Sequence, residues 1–265
     1  FGQFELTDAE LDLVTTSGKV VVGNAGSGNV TFSGAVSMAN AGTLEIITGG
    51  TVNDSGTSDV FTDSSLAITA PGGIGTTTPL DIQVGTFAAS VSGGAIDVSD
   101  SSSVIIGSVA GVSGLTASGD ITVEAATNLT VSNGITKSSG ADATFTLRAG
   151  GNIDFNSSAD VTSTNNKLNV VLNADRDGSG SGAIQLGSGT VITSNGGNIT
   201  LGGGTDPSSN PASSSSADGV NIAGTLTAVG GNISILGDSS ADARGVFIDG
   251  GTGVTTTGNG TITIV

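Results

Sequence analysis

A short turn-and-strand pattern recurs along this chain of 265 residues and constrains its fold more than any other feature. It reads Gly, then Asn or Asp, then a branched apolar, a polar and a second apolar residue, as in Gly119-Asp120-Ile121-Thr122-Val123. Further copies begin at Gly28, Gly151, Gly197 and Gly231, with a variant at Gly260. Each copy joins a turn residue to a very short strand of period two. Such a unit cannot bury an apolar face alone, so the repetition predicts an all-β, elongated parallel β-helix, or β-solenoid.

Apolar residues two positions apart continue this pattern from end to end, for example Val20 with Val22 and Leu129 with Val131. The isoleucines at positions 121, 153, 199 and 233 recur at unequal intervals along the chain. This irregular spacing predicts coils of roughly 20 to 30 residues, with loops of varying length, rather than a rigid short repeat. Right-handed crossovers between the parallel strands are expected.

We predict a single domain over residues 1–265. Residues 1–15 are expected to form a short helix or capping segment, since Thr7 and Glu10 have the spacing of a capping box. Two regions rich in Pro, Gly or Ser, near residues 71–79 and 206–218, are expected to be irregular loops, the second protruding without apolar anchors.

Charge and composition exclude several classes of function. The net charge is −17, with only 6 basic residues, so phosphate neutralisation cannot support nucleic-acid binding. No apolar run has the length of a membrane helix, and membrane insertion is not expected. The chain has no Cys and no His, which removes disulfides and the usual nucleophile–base pairs of covalent catalysis.

Paired carboxylates are the remaining route to catalysis, by analogy with β-helices that cleave polysaccharides. Asp154 with Asp160, and Asp97 with Asp100, are the candidate pairs. We favour the alternative that these are outward-facing strand and turn residues. Without Trp or Tyr the chain also lacks the flat aromatic platform of many carbohydrate sites. No enzymatic activity is predicted.

Calcium is the one cofactor for which the sequence contains candidate ligands. Asn173, Asp175 and Asp177 place oxygen ligands at alternate positions before Gly178, like the first half of a calcium loop. The twelfth position of that loop is Ile184, so the bidentate glutamate of an EF-hand is missing. The alternative, which we favour, is a solvated turn in which Asn, Asp and Gly serve backbone geometry.

Two further patterns have a structural and a functional interpretation. The Gly-Gly-Asn turns lack the lysine and the following helix of a phosphate-binding loop, and we expect stacked Asn side chains to form hydrogen-bonded ladders between coils. Thr-x-Thr elements such as Thr255–Thr257 are typical of flat ice-binding faces. Such a face needs regular Thr columns, and the irregular spacing argues against one.

Several stretches resemble the repeats of filamentous-haemagglutinin-type exoproteins, which are exported by two-partner secretion. The resemblance covers Leu6–Asp12, Val20–Phe32, Leu168–Leu186 and Ser194–Leu201. It implies a right-handed parallel β-helix in a secreted bacterial protein, with roles in adhesion, surface fibres or biofilm matrix.

The function expected from these patterns is mechanical, a structural or adhesive shaft of a secreted bacterial surface fibre. The last strand, Thr261–Val265, ends without a capping element, so we expect end-to-end self-association or continuation into further repeats. The alternative is an adhesin whose loops near 71–79 and 206–218 recognise cell-surface molecules.

Overall fold

The computed structural model describes residues 5–38, 40–56, 61–179, 181–215, 217–239, 243–250 and 253–265. Parallel strands stack in it as a β-solenoid of about nine turns, which confirms the predicted fold class. Most strands belong to one hydrogen-bonded sheet of 27 strands that winds around the core.

The described elements are one short helix and a long series of short strands. The first part of the chain contains α1 (Asp8–Leu11), β1 (Val20–Gly23), β2 (Val30–Phe32), β3 (Val36–Ser37), β4 (Leu44–Ile47), β5 (Thr51–Asp54), β6 (Phe61–Thr69), β7 (Gly73–Ile74), β8 (Leu80–Ser90), β9 (Ile96–Asp100), β10 (Val104–Ile106), β11 (Ser108–Val109), β12 (Val112–Ser113), β13 (Leu115–Ala117), β14 (Ile121–Ala125) and β15 (Leu129–Val131). The second part contains β16 (Ile135–Lys137), β17 (Ala143–Ala149), β18 (Ile153–Phe155), β19 (Val161–Ser163), β20 (Leu168–Ala174), β21 (Ile184–Leu186), β22 (Val191–Thr193), β23 (Ile199–Gly203), β24 (Ala212–Ser214), β25 (Val220–Ile222), β26 (Thr225–Ala228), β27 (Ile233–Ile235), β28 (Gly237–Ser239), β29 (Val246–Ile248), β30 (Gly253–Thr256) and β31 (Ile262–Ile264).

From β9 to β30 each coil contributes one strand to each of three columns, and β31 adds a last strand to the first column. The first column stacks β9, β14, β17, β20, β23, β27 and β31. The second column stacks β10, β15, β18, β21, β25 and β29. The third column stacks β13, β16, β19, β22, β26 and β30. In the earlier coils β6 and β8 run through the corner between the second and third columns without a break.

The first column shows how coil length varies. One apolar core residue per coil occupies the same place in it, in the order Val30, Val52, Ile74, Ile96, Ile121, Phe145, Val170, Ile199, Ile233 and Ile262. The first three intervals in this series are equal, whereas the later ones are longer and differ from coil to coil. The prediction that coil length varies is therefore confirmed. Ile153, which the sequence analysis counted in one series with Ile121 and Ile199, lies in the second column instead of the first.

Core side chains alternate with outward ones along each strand. β17 is the clearest case, since Ala143, Phe145, Leu147 and Ala149 are buried and the residues between them are partly exposed. The buried side chains join along the whole rod into one apolar cluster. Because neighbouring coils lie about 4.8 Å apart, nine turns correspond to a rod of roughly 43 Å.

Most of the variation in the later coils lies at one corner, between the first and second columns. The long connections are those from β20 to β21, from β23 to β25 and from β27 to β29. Between the third column and the first, the connections stay short, as from β26 to β27. The rod therefore has one corner that carries long loops and, opposite it, a third column that carries none in these coils.

Both regions expected to be irregular contain strands. Residues 71–79 include β7, whose Ile74 is fully buried in the first column. Residues 206–218 include β24, which pairs in parallel with β28 and buries Ala212 completely. The prediction that the second region lacks apolar anchors was therefore wrong, because Ala212 is buried in the apolar core cluster.

The predicted amino-terminal helix is confirmed as α1. Thr7 is its N-cap, and the side chains of Thr7 and Glu10 form both hydrogen bonds of a capping box. The Asp8 carboxylate accepts a hydrogen bond of 2.6 Å from the backbone N–H of Ser37, and Leu11 is buried against the core. These contacts attach α1 to the first coil.

The opposite end of the rod is open. Ile262 and Ile264 continue the core positions of Ile233 and Ile235, yet they are 42% and 47% exposed. Val265 is 72% exposed. These side chains lack a further coil to cover them within the described residues.

Candidate functional site

A groove of about 400 Å³ lies beside the loop corner. Its floor is the outward face of the second column, and its wall comes from the residues around β24. Its lining is mostly polar and uncharged, with Asn152, Gln185, Asn221, Ser181, Ser214 and Ser215 together with Asp218 and three alanines. We call it the corner groove.

The floor of the corner groove follows the register of the strands. Asp154, Gln185, Asn221 and Phe247 occupy the same outward position in successive coils. The Gln185 amide donates to the backbone carbonyl of Asp218 at 3.3 Å, which fixes its orientation. The side-chain oxygen of Asn221 is buried and has no hydrogen-bond partner among the described residues. It is therefore a buried acceptor that no described group satisfies.

The wall of the groove carries one ion pair. Asp218 and Arg244 approach to 3.2 Å, and the Arg244 guanidinium lies 3.4 Å from the centre of the Phe247 ring. The backbone N–H of Arg244 donates to Asp218 and is the main reason that the pKa of this carboxyl lies below its usual value, with the Arg244 side chain adding to the effect. The groove thus presents hydrogen-bonding groups with little net charge, which suits a neutral polar ligand.

No contact joins the two carboxylates of the candidate pair Asp154 and Asp160. Asp154 faces outward from β18, and burial raises its pKa. Asp160 lies beyond the following turn, where its carboxylate accepts a hydrogen bond of 2.8 Å from the backbone N–H of Val191. Asp160 therefore joins two coils rather than facing a substrate together with Asp154.

The second pair, Asp97 and Asp100, points to opposite sides of β9. Asp97 is outward, and its pKa is raised by burial and by the nearby Glu124. Asp100 is buried and accepts hydrogen bonds from the backbone N–H of Val84 and from Ser102. Because the strand separates the two carboxyl groups, they do not form a catalytic pair.

The candidate calcium residues lie at the end of β20 and in the loop that follows. Asn173 is 2% exposed, and its side-chain oxygen has no partner among the described residues. Asp175 is 3% exposed, adopts a positive φ of 50° and accepts a hydrogen bond of 3.0 Å from the Ser179 hydroxyl. Asp177 is exposed, and the backbone N–H of Ser179 is the main cause of its lowered pKa. These bonds are those of an ordered turn, and calcium binding stays a prediction.

A charged cluster that the sequence analysis missed lies on the outward face of the first column. Glu124 pairs with Arg176 at 2.9 Å and, more weakly, with Arg148 at 3.6 Å. Glu124 and Arg148 occupy the same position in adjacent coils. Only the register of the coils could have revealed this cluster, since its members come from different coils and lie far apart in the chain.

The predicted asparagine ladders are present, and their partners are backbone groups. The side-chain oxygen of Asn169 accepts the backbone N–H of Asn198 at 3.0 Å, and that of Asn198 accepts the N–H of Asn232 at 2.9 Å. Asn232 repeats the contact with Thr261 at 2.9 Å. Each asparagine side chain thus accepts a hydrogen bond from a backbone N–H in the turn of the next coil. This supports a structural role for the Gly-Gly-Asn turns.

Searches against protein-family models, curated proteins and solved structures find no match to this chain. Within the described ranges, no group of three or more His, Cys, Asp and Glu side chains is arranged to hold a metal ion. No helix there is long and apolar enough to cross a membrane. The geometry of the stacked coils is that of a β-helix repeat protein.

Proposed function

We propose that this chain is a structural or adhesive shaft of a secreted bacterial surface fibre, of the filamentous-haemagglutinin type. The observation that carries the proposal is the uninterrupted first column, in which one core residue per coil aligns from Val30 to Ile262. A rod of this kind bears load along its axis through backbone hydrogen bonds and a dry core. It needs no disulfide to do so.

The proposed site of assembly is the last described coil. Ile262 and Ile264 expose core surface that a further parallel coil would cover. That coil belongs either to a second copy of the chain, docked end to end, or to the same polypeptide. In both cases the proposed partner is another β-solenoid coil, and the apolar contact supplies the driving force.

Negative-stain electron microscopy of the purified chain tests the shaft and its end-to-end contact together. Wild type and two variants are compared, Ile264→Asp at the open end and Val229→Asp at an exposed side position. Filaments in wild type and Val229→Asp, but short rods in Ile264→Asp, would support end-to-end assembly. Short rods in all three would leave a shaft without self-assembly, and compact, non-elongated particles would refute the shaft.

The same grids prepared with excess calcium and with a chelator test the Asn173–Asp177 loop. Filaments that need calcium and are lost in Asp175→Asn would support a calcium-dependent contact. Identical images in both conditions would argue against calcium in assembly.

The corner groove favours a second candidate function, an adhesin that binds a neutral ligand beside the loop at 206–218. Its support is the lining, which is polar and mostly uncharged and includes the Asn221 side chain. An array of neutral oligosaccharides tests it with Asn221→Ala and, as a control outside the groove, Thr130→Ala in the same column. Binding that is lost only in Asn221→Ala would support the adhesin, and no binding by wild type would refute a neutral-sugar ligand.

A further inference from the structure

The hairpin formed by β11 and β12 is inserted at the corner between the second and third columns. Ile106 and Leu115, which flank it, pair with Phe87 and Ala89 in the preceding coil. Between those two residues β8 has only Ala88. The hairpin therefore takes the place of a single outward residue, and its two strands are antiparallel, unlike the stacked strands of the coils.

This hairpin folds back over the coils that precede it. Glu45, Ala67 and Ala88 occupy one outward position in three successive coils. Ala67 and Ala88 are nevertheless fully buried, because the hairpin covers them and Val109 joins them in a small apolar cluster. The alternation of buried and exposed residues is broken at this place in β6 and β8, where three consecutive residues are buried. We call the hairpin, residues 108–113, the clasp.

The tip of the clasp is held by a residue of the first coil. Lys19, which directly precedes β1, donates from its ammonium group to the backbone carbonyl of Ala110 at 3.4 Å. The same ammonium group lies 2.6 Å from the Glu45 carboxylate. Ala110 and Gly111 have φ values of 55° and 98°, as in the tight two-residue turn of a hairpin. The contact at the tip joins residues 91 positions apart in the chain.

Such a contact is unusual in a solenoid, in which each coil otherwise contacts only its neighbours. Stability is then a sum of local terms, so one coil can open without disturbing coils further along the rod. Here the clasp begins between β10 and β13, covers β8 and β6, and reaches Lys19 beside β1. The first coil is therefore joined to a coil that is not its neighbour.

We propose that the clasp couples the coils from β1 to β10, so that they open and close as one unit. With the clasp closed, β6 cannot separate from β8 without exposing Ala67 and Val109 to water. In the same state β1 cannot leave without losing the contact of Lys19 with the tip. With the clasp displaced, each of these coils is held by adjacent coils alone and opens separately. This inference is independent of the proposed shaft function.

Native-state amide hydrogen exchange, measured over a series of low urea concentrations, tests the coupling. Val109→Asp places a charge in the apolar cluster beneath the clasp, and Val109→Ala is a milder change at the same site. Lys19→Met removes the donor at the tip and keeps the length of the side chain. The matched control is Val191→Asp, which adds the same charge at an exposed position of β22. Circular dichroism shows which variants keep the fold.

In wild type, the amides of β1, β4 and β6 are expected to exchange through one shared opening. Val109→Asp should speed their exchange by about tenfold, the effect of losing one buried valine, and leave β20 and β23 unchanged. Val109→Ala should act in the same direction by a smaller factor. Lys19→Met should speed exchange mainly in β1, and Val191→Asp should leave all three strands at wild-type rates.

Exchange of β1, β4 and β6 at wild-type rates in both Val109 variants would overturn the proposal. An equal acceleration in β20 and β23 would do the same, because it would indicate a general loss of stability instead of a lost coupling. Separate openings of β1 and β6 in wild type, with different urea dependences, would also contradict it. So would an unchanged exchange rate of β1 in Lys19→Met.

Discussion

The ammonium nitrogen of Lys137 lies 2.6 Å from the backbone carbonyl oxygen of Asn165 in the next coil. It also donates to the carbonyl of Ser139 at 2.8 Å, and the Lys137 side chain is fully buried. No carboxylate lies within ion-pair distance of it in the described part of the chain. A buried charge is thus held by carbonyl dipoles alone, at a corner where two coils meet.

Replacing Lys137 with Met should lower the free energy of unfolding by about 2 kcal/mol, because the carbonyls lose their donor while the volume is kept. Urea denaturation followed by circular dichroism measures the change. Lys167→Met, at an exposed position, is the control and should shift stability by less than about 0.5 kcal/mol. An unchanged or raised stability of Lys137→Met would contradict a structural role for the charge.

The asparagine ladder predicts a difference between two variants of one residue. Asn232→Ala removes the acceptor of the Thr261 N–H and should cost about 1 kcal/mol. Asn232→Asp keeps an acceptor at the same place and should lose less. Amide hydrogen exchange at Thr261 provides the local measurement, with faster exchange expected only in the alanine variant. Exchange at the wild-type rate in the alanine variant would show that the side chain is dispensable.

The two glycines of the turn before Asn232 should respond to substitution for different reasons. A Cβ on Gly231 would lie within clashing distance of the Gly197 carbonyl oxygen in the coil below, so Gly231→Ala must displace backbone. Gly230 has a φ of +90° but open space around it. Gly230→Ala should cost about 1 kcal/mol, and Gly231→Ala clearly more. Thermal melting ranks them, and the reverse order would contradict the close approach of the coils.

The raised pKa of Asp154 predicts that the stability of the fold depends on pH. Burial raises its pKa in the folded state above the value of about 3.9 in the unfolded chain. Ionisation therefore costs stability, and this cost is absent below the unfolded pKa and complete above the folded one. Asp154→Asn should raise the melting temperature at pH 7 and leave it nearly unchanged at pH 3. An equal shift for Asp154→Asn at both pH values would contradict the assignment.

The sequence determined the parallel solenoid, the variable coils and the capping box of α1. These depend on contacts that are local or repeat in every coil, such as the alternation within β17 and the spacing of Thr7 and Glu10. The asparagine ladders could be predicted for the same reason, because each coil repeats the same turn.

The residues that become neighbours across coils could be identified only from the folded structure. The ion pair of Glu124 with Arg176 and the corner groove each join residues from different coils. One residue added at a corner loop changes the number of residues between two coils, but it does not change the register in which their strands stack. Two residues can therefore be neighbours across coils at many different separations along the chain. That register is set by core packing and backbone hydrogen bonds between coils, which the spacing of residues along the chain does not encode.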